Sequence, residues 1–443
     1  MTKSGHTDTA TDAAAVTVAD TDTDTDTDTD TGTGTGTDTV AVTVADTDTD
    51  AGTDADAGGR DTAHRCPIIS RPMSPFRRRT NGLRRERMEA SPRFGDGTFR
   101  NTTGVGPSLK KGTTFPVMRE FLRGGGRRFP IAPLPSVSPL EVWAKAADTG
   151  LRATWLGHST LLLEIDGVRV LTDPVWSRRV SPSRLIGPKR FQPVPVPISK
   201  LPPLDAVIIS HDHYDHLDYA SIVELIRQDV PFYTSLGVGA HLEAWGVPAE
   251  RITELDWWES AELPNTDLRI TAAPSQHFSG RAAADRNRTL WCSFALRGPQ
   301  HSVFFSGDTG LTPEYEEIAH RLGPFDLVML EVGAFHPAWG HIHLGPDNAL
   351  EALKLLGGGS FLPVHWGTFD LGIHDWDEPA ERLIELAPSL DSPLLMPMLG
   401  APIEPSRVEG VETWWRTISA LERTEPLEEE APERLIPIGD PID

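Results

Sequence analysis

The chain has 443 residues, 38% of them hydrophobic, and a formal net charge of −23 from 41 basic and 64 acidic side chains. That length allows two or three average domains or one large domain with extensions, and the low apolar fraction leaves part of the chain without a core. The charge is segregated: residues 1–60 hold 14 Asp against Lys3 and Arg60, residues 61–130 hold 16 Arg and Lys against 5 acids, and residues 131–443 carry −22. An acidic body repels phosphate backbones, which argues against a nucleic-acid partner.

Cys66 and Cys292 are the two cysteines and form no CxxC or CxxxC pattern, so a disulfide framework and a thiolate zinc ribbon are excluded. No run of about 18 apolar residues and no hydrophobic leader occurs, and the expected address is the cytoplasm.

Residues 1–62 are built from Thr-Asp, Thr-Gly and AVTVAD units without an aromatic residue, and are expected to be a disordered low-complexity tract. Residues 63–93, with RRR at 77–79, read as a basic linker, and 424–443 as an acidic C-terminal tail. The globular domain is expected over 94–423. Within it, Ala153–Leu156 and Thr160–Ile165 are short apolar strand runs, and Asp166-Gly167 is a type I′ hairpin signal leading into Val168–Leu171. Leu204–Ser210 is a continuous apolar strand, followed by a helix over Tyr219–Gln228. Later strands are predicted at Arg269–Ala273, Leu290–Leu296, Ser302–Phe305, Leu327–Val332, Phe361–Val364 and Leu394–Met398. Helices at Pro313–Arg321, Pro346–Leu356 and Pro379–Leu386 each open with Pro in the first turn. This alternation predicts a layered α/β protein with sheets inside and helices outside.

The strand at 204–210 runs into His211-Asp212-His213-Tyr214-Asp215-His216, an HxHxDH pattern. Three imidazoles and a carboxylate within six residues offer nitrogen and oxygen donors suited to zinc, though iron or manganese accept the same set. One loop cannot close two tetrahedral sites, so distant ligands are required. Candidates stand at strand-to-loop junctions: His277 in PSQHF, Asp308 in FFSGDTG and His365 in PVHWGTF. Together they make seven donors, the number a two-metal hydrolytic centre needs, and two zinc ions about 3.5–4 Å apart would lower the pKa of a shared water. Asp215 could also orient the resulting hydroxide or accept its proton.

The order HDHYDH, SQH, GDTG, HWG resembles that of the metallo-β-lactamase-fold hydrolases over roughly 150–400. More narrowly, TWLGHSTLLLEIDGVRVLTDPVWSRRVSPSRLIGPKRF, ISHDHYDHLDY, ELDWWES and PSQHF are similar to the N-acylphosphatidylethanolamine-hydrolysing phospholipase D branch, with the L-ascorbate-6-phosphate lactonases as more distant relatives. GDGTFRN at 95–101 resembles the short pre-domain segment of that branch. The resemblance implies a four-layer αββα sandwich. It implies one zinc on His211, His213 and His277, a second on Asp215, His216 and His365, and Asp308 bridging both. It also implies that His343, in GHIHLGP, reaches the substrate, where a histidine could protonate a leaving alkoxide or hold a phosphate oxygen.

Asp173 in LTDP and His158 in WLGHST are candidates to accept or fix the outer ring nitrogen of a ligand histidine. Trp257 and Trp258 are expected in the core or a pocket wall. Glu331 and His336, in LEVGAFHPAWGHIH, match the family loosely and leave head-group preference open.

The expected activity is dinuclear zinc-dependent cleavage of a phosphodiester, with an N-acylphosphatidylethanolamine-like glycerophospholipid leading. A lactonase or phosphodiesterase for a soluble sugar phosphate and a non-catalytic zinc-containing membrane-surface protein are the alternatives. Peripheral membrane contact is expected through 115–129, where apolar residues alternate with Arg119, Arg123, Arg127 and Arg128, unless that segment docks on the domain.

Overall fold

The computed structural model describes residues 80, 82–106, 119, 126–183, 185–338 and 341–424. The expected disordered tract, most of the basic linker and all but the first residue of the acidic tail lie outside them, as does most of 115–129.

Inside the stretch read as linker stands helix α1, Leu83–Ala90. Its arginines are not a solvated tether: Arg84 pairs with Glu254 at 2.7 Å and Glu243 at 3.1 Å, Arg87 pairs with Glu259, and Met88 is buried. A short pair follows, β1 Phe94–Gly95 and β2 Thr98–Phe99, then helix α2 Leu140–Trp143.

The first sheet comprises β3 Leu151–Gly157, β4 Thr160–Ile165, β5 Val168–Thr172, β6 Ala206–Ile209, β7 Phe232–Ser235, β8 Ile252–Leu255 and β15 Pro402–Ile403, in the order β15-β3-β4-β5-β6-β7-β8. The hairpin turn between β4 and β5 has positive φ at Asp166 and Gly167, as a type I′ turn requires. The second sheet comprises β9 Ser260–Glu262, β10 Arg269–Ala273, β11 Ser293–Arg297, β12 Ser302–Phe305, β13 Leu327–Glu331 and β14 Ser360–Val364, in the order β14-β13-β12-β11-β10-β9. Leu394–Met398, expected as a strand, contributes only one bridge, Phe361 to Leu394. Pro393 and Pro397 remove the N–H groups a ladder there would use.

Leu161, Leu163 and Ile165 of β4 enter the large cluster shared with the second sheet, while Leu162 faces a second cluster with Ile222, Leu225 and Leu242. A strand buried on both faces therefore reads as a continuous apolar run. The outer residues come from helices α3 Tyr219–Leu225 and α4 Gly239–Ala244. Helices α5 Glu314–Leu322, α6 Gly345–Leu355 and α7 Glu378–Leu386 cover the second sheet, and α8 Arg416–Thr424 closes the described chain. The result is the αββα sandwich.

Strands β5 to β8 run parallel, as do β12 to β14, and antiparallel pairing to their neighbours leaves β3 and β10 running the same way. The loops after β3, β5 and β6 therefore leave one edge of the first sheet, and those after β10, β12, β13 and β14 one edge of the second. Sheet edges of this kind deliver side chains from rigid strands into a shared cleft.

Candidate metal centre

All seven expected donors follow those strand ends and converge. His211, His213, His277 and Asp308 place one donor atom each within 4.8 Å of one another, and so do His158, Asp215, His216 and His365. Asp308 lies between the groups: Oδ2 is 3.7 Å from His277 Nε2, 4.0 Å from His211 Nε2 and 3.2 Å from His365 Nε2, and Oδ1 is 3.1 Å from His216 Nε2. Gly307, with φ 54°, makes this approach feasible, since a Cβ there would fall 2.6 Å from Ser210 Cβ.

The donors fit a tetrahedral cation. With metal–donor bonds of about 2.0–2.1 Å, a tetrahedron has edges of roughly 3.3 Å. In the first group His213 Nδ1 lies 2.8 Å from His211 Nε2 and 3.2 Å from His277 Nε2. In the second, Asp215 Oδ2 is 3.6 Å from His216 Nε2 and 3.5 Å from His365 Nε2. His216 Nε2, His365 Nε2 and Asp308 Oδ1 are buried without a hydrogen-bond partner, which a neutral core avoids.

The electrostatics agree. Burial alone would raise the pKa of Asp215 and Asp308, yet the histidines around them, His216 foremost, hold both well below the usual carboxylate range. Burial would lower His365, but Asp308 and Asp215 push it up to about 10, and His216 is raised well above its ordinary value by the same two carboxylates. Buried Asp308 and partly buried Asp215 thus call for positive charge, which divalent cations supply. His211 and His277 are held well below the ordinary value by burial first, leaving neutral rings with a lone pair to donate.

Supporting groups fix the rings. Asp173 accepts from His216 Nδ1 at 2.7 Å, as anticipated, and also from Ser210 N at 2.8 Å and Ser210 Oγ at 2.7 Å. Ser210 Oγ in turn accepts from His211 Nδ1 at 2.9 Å, so one carboxylate orients a ring in each group. His277 Nδ1 donates to the Ile342 carbonyl at 2.9 Å. His158 Nε2 donates to Asp215 Oδ2 at 3.1 Å, and burial followed by the nearby His365 lowers its pKa to about 3.

His343 stands beside both groups, within 4.8 Å of Asp308 and His365 by its donor atom. Its Nδ1 donates to Glu331 Oε2 at 2.7 Å, while Glu331 Oε1 accepts from Thr309 N at 2.9 Å and Leu344 N at 3.1 Å. Burial would lower the His343 pKa, but Glu331 outweighs it and raises the value. The sequence reading singled out Glu331 only as a loose match to the family and missed its role as the partner of His343; the available signal was its place at the end of a strand neighbouring those of Asp308 and His365. Asp212 within HxHxDH turns away from the donors to Gly280 N at 2.7 Å, Thr289 Oγ1 at 2.9 Å and His241 Nε2 at 3.3 Å, which tie the loop down.

A cleft of about 280 Å³ is lined by His343 together with Phe335, His336, Leu344, Asp347 and Asn348 among others. Trp257 is core, with Nε1 donating to the Trp291 carbonyl at 2.7 Å, and Trp258 lies under Arg321. Of the basic residues expected to face a membrane, Arg127 pairs with Asp377 at 2.7 Å and Arg128 with Asp370 at 2.8 Å, so both are committed to the domain. Among the described residues no helix is long and apolar enough to cross a membrane.

Comparison with known proteins adds relatives to this geometry. The family described as "Beta-lactamase superfamily domain" matches residues 168–366. An uncharacterized protein of Mycobacterium tuberculosis is 45% identical over 340 residues, 74% of this chain and 88% of that one. The N-acyl-phosphatidylethanolamine-hydrolyzing phospholipase D 1 of Caenorhabditis elegans is 38% identical over 252 residues, 54% of this chain and 70% of that one. Among solved structures, the isothiocyanate hydrolase from Delia radicum gut bacteria aligns over 57% of this chain and 98% of its own, with 24% identity and a TM-score of 0.46.

Proposed function

The chain belongs to the metallo-β-lactamase superfamily of metal-dependent hydrolases, and on that premise we propose that it cleaves the phosphodiester of an N-acylphosphatidylethanolamine-like glycerophospholipid, in the manner of a phospholipase D, with two zinc ions. His211, His213 and His277 would hold one ion, Asp215, His216 and His365 the other, and Asp308 both. Zinc there would supply Lewis acidity toward a phosphoryl oxygen and an attacking water.

The chain's own groups account for the proton movements. Asp215, which accepts from His158 Nε2, would take the proton of the attacking water. The observation that carries the reading is His343: its Nδ1 donates to Glu331 and it stands beside Asp308 and His365, so its other ring nitrogen would be the one to pass a proton to the alkoxide that leaves phosphorus. The substrate class rests on the likeness to the nematode phospholipase D. The reading carries with it a cytoplasmic location, in peripheral contact with the bilayer that holds the substrate.

The test pairs metal analysis with product detection on the full chain. About two zinc ions per chain and release of phosphatidic acid with an N-acylethanolamine are expected; turnover of a sugar-phosphate lactone alone would move the assignment to the soluble-substrate reading. The variant His343→Ala should keep its zinc and lose about 10²–10⁴-fold in turnover of an alkoxide ester, with a much smaller loss on a nitrophenyl ester, whose leaving group needs little protonation. Zinc loss in that variant would make His343 a ligand instead.

A further inference from the structure

We propose that the hairpin arms 178–183 and 185–190 form a membrane-docking element that sets the apolar pair Leu185–Ile186 into an anionic lipid surface beside the candidate metal centre. This rests on the lipid-substrate reading above and assigns it a contact surface.

The hairpin is closed by the Arg179–Lys189 bridge and by Val180 N donating to the Pro188 carbonyl at 3.1 Å. Its tip is stitched rather than slack. Ser181 Oγ has the Ser183 carbonyl, at 2.6 Å, and the Ile186 carbonyl as alternative acceptors for its one hydrogen, and Gly187, with φ 107°, packs where a Cβ would fall 2.4 Å from Ser181 Cβ. What the tip presents is apolar: Leu185 is 72% and Ile186 69% exposed, adjacent in sequence and without a covering element among the described residues. Burial of such a pair gains free energy only against another apolar phase.

The charge around the tip selects the phase. No acidic residue stands between Asp173 and Asp205, in a body that is otherwise strongly acidic. Arg178 and Lys189 are exposed, and no ion pair engages Arg178, Arg179 or Lys189 among the described residues. Cations collaring an apolar tip match an anionic headgroup layer over hydrocarbon. A nucleic acid would use the cations and leave Leu185 and Ile186 in water.

The hairpin is also rooted where docking matters. Val180 packs with Val175 and Phe369, Arg190 bridges to Phe369 and lies over its ring at 4.6 Å, and that ring meets His158 edge-on at 5.2 Å. Phe191 and His365 line one small cavity. A tip seated in lipid would therefore hold the metal centre one hairpin length from the headgroups.

The test is sedimentation of the full zinc-loaded chain with vesicles of phosphatidylcholine alone or with about one third phosphatidylglycerol. Binding is expected on the anionic vesicles, weakening with salt, and the double variant Leu185→Asp, Ile186→Asp should bind them about tenfold or more weakly with unchanged turnover of a soluble diester. In a second variant, Ile186→Trp, indole emission should move to shorter wavelength on the anionic vesicles. Unaltered vesicle affinity of the double variant, unmoved emission from a sedimented Ile186→Trp protein, or displacement of the hairpin contact by duplex DNA would each overturn the proposal. Absence of diester turnover with vesicle binding that follows the tip would remove the catalytic reading and leave this one standing; lipid turnover indifferent to the tip would do the reverse.

Discussion

The two donor groups are assembled by different means. In the first, His211 and His277 follow strand ends with ordinary backbone, and their outer nitrogens rest on Ser210 Oγ and the Ile342 carbonyl. In the second, His158 and His365 both have left-handed backbone, φ 54° and 64°, and Asp173 behind His216 has φ 33°. Such conformations cost on the order of 1–3 kcal/mol each in a non-glycine residue and persist where surroundings over-determine them. Here His365 N donates to the His158 carbonyl at 3.0 Å and His158 N to Thr368 Oγ1 at 2.7 Å, so the two strained residues hold each other. The first group is thus a product of the sheet edges, and the second a product of mutual restraint. The second should be the easier to disturb.

The most drastic way to break this contrast is to remove what the groups share. Asp308→Ala should take zinc from about two per chain to below one and lower turnover by roughly 10³-fold or more, because the carboxylate neutralises both cations. Plasma emission analysis of the dialysed variant decides it, and one ion lost with full activity would contradict a shared ligand.

A milder change separates the groups. Asp173→Asn weakens the Oδ2 contact that Ser210 Oγ and His216 Nδ1 share; His216 bonds it directly and His211 only through Ser210, so the second ion should bind about 10–100-fold more weakly and the first should lose less. Chelator titration should then show two phases where the native chain shows closer ones; an equal shift of both would dissolve the distinction drawn above.

The smallest effect lies away from both groups and serves as their control. Asp166 accepts from His301 Nδ1 at 2.6 Å, Gln300 N at 2.9 Å and His301 N at 3.0 Å. Burial works to raise its pKa, but the hydrogen bonds from His301 and the Gln300 amide prevail and lower it. A carboxylate lowered in the folded state stabilises above its unfolded pKa of about 3.9, and that stability disappears as pH falls through the folded value. Asp166→Asn, which tolerates the positive φ, should therefore lose about 1 kcal/mol in urea at pH 7 and differ little from the native chain at the lowest pH that still gives a folded baseline, with zinc content unaffected. A difference that grew on acidification would refute the sign.

How much of this was legible in the sequence follows from locality. HDHYDH declares itself because its donors are contiguous, and His277, Asp308 and His365 because each ends an apolar run. Asp173 was legible for the same reason. Glu331 was harder, since its partner His343 lies on another loop and a Glu closing a buried strand carries no mark of what it faces. Strands Phe232–Ser235 and Ile252–Leu255 were missed because their four-residue runs mix Thr, Ser and Glu with the apolar residues, unlike the more apolar Ser302–Phe305. The helix at 83–90 hid in an arginine-rich segment whose acids, Glu243, Glu254 and Glu259, stand more than 150 positions downstream.

Each donor group draws on both sheets: His211, His213, Asp215 and His216 hang from one edge, His277, Asp308 and His365 from the other. Cations seated there would act as rivets across the seam between the two halves of the sandwich, so binding energy at the centre would also be cohesion of the fold. Without them, the seam holds one buried and one partly buried carboxylate and a ring of imidazoles facing one another. The protein's lifetime in a cell would then track its metal supply, and starvation for metal would register first as a fall in abundance rather than as an accumulation of idle enzyme.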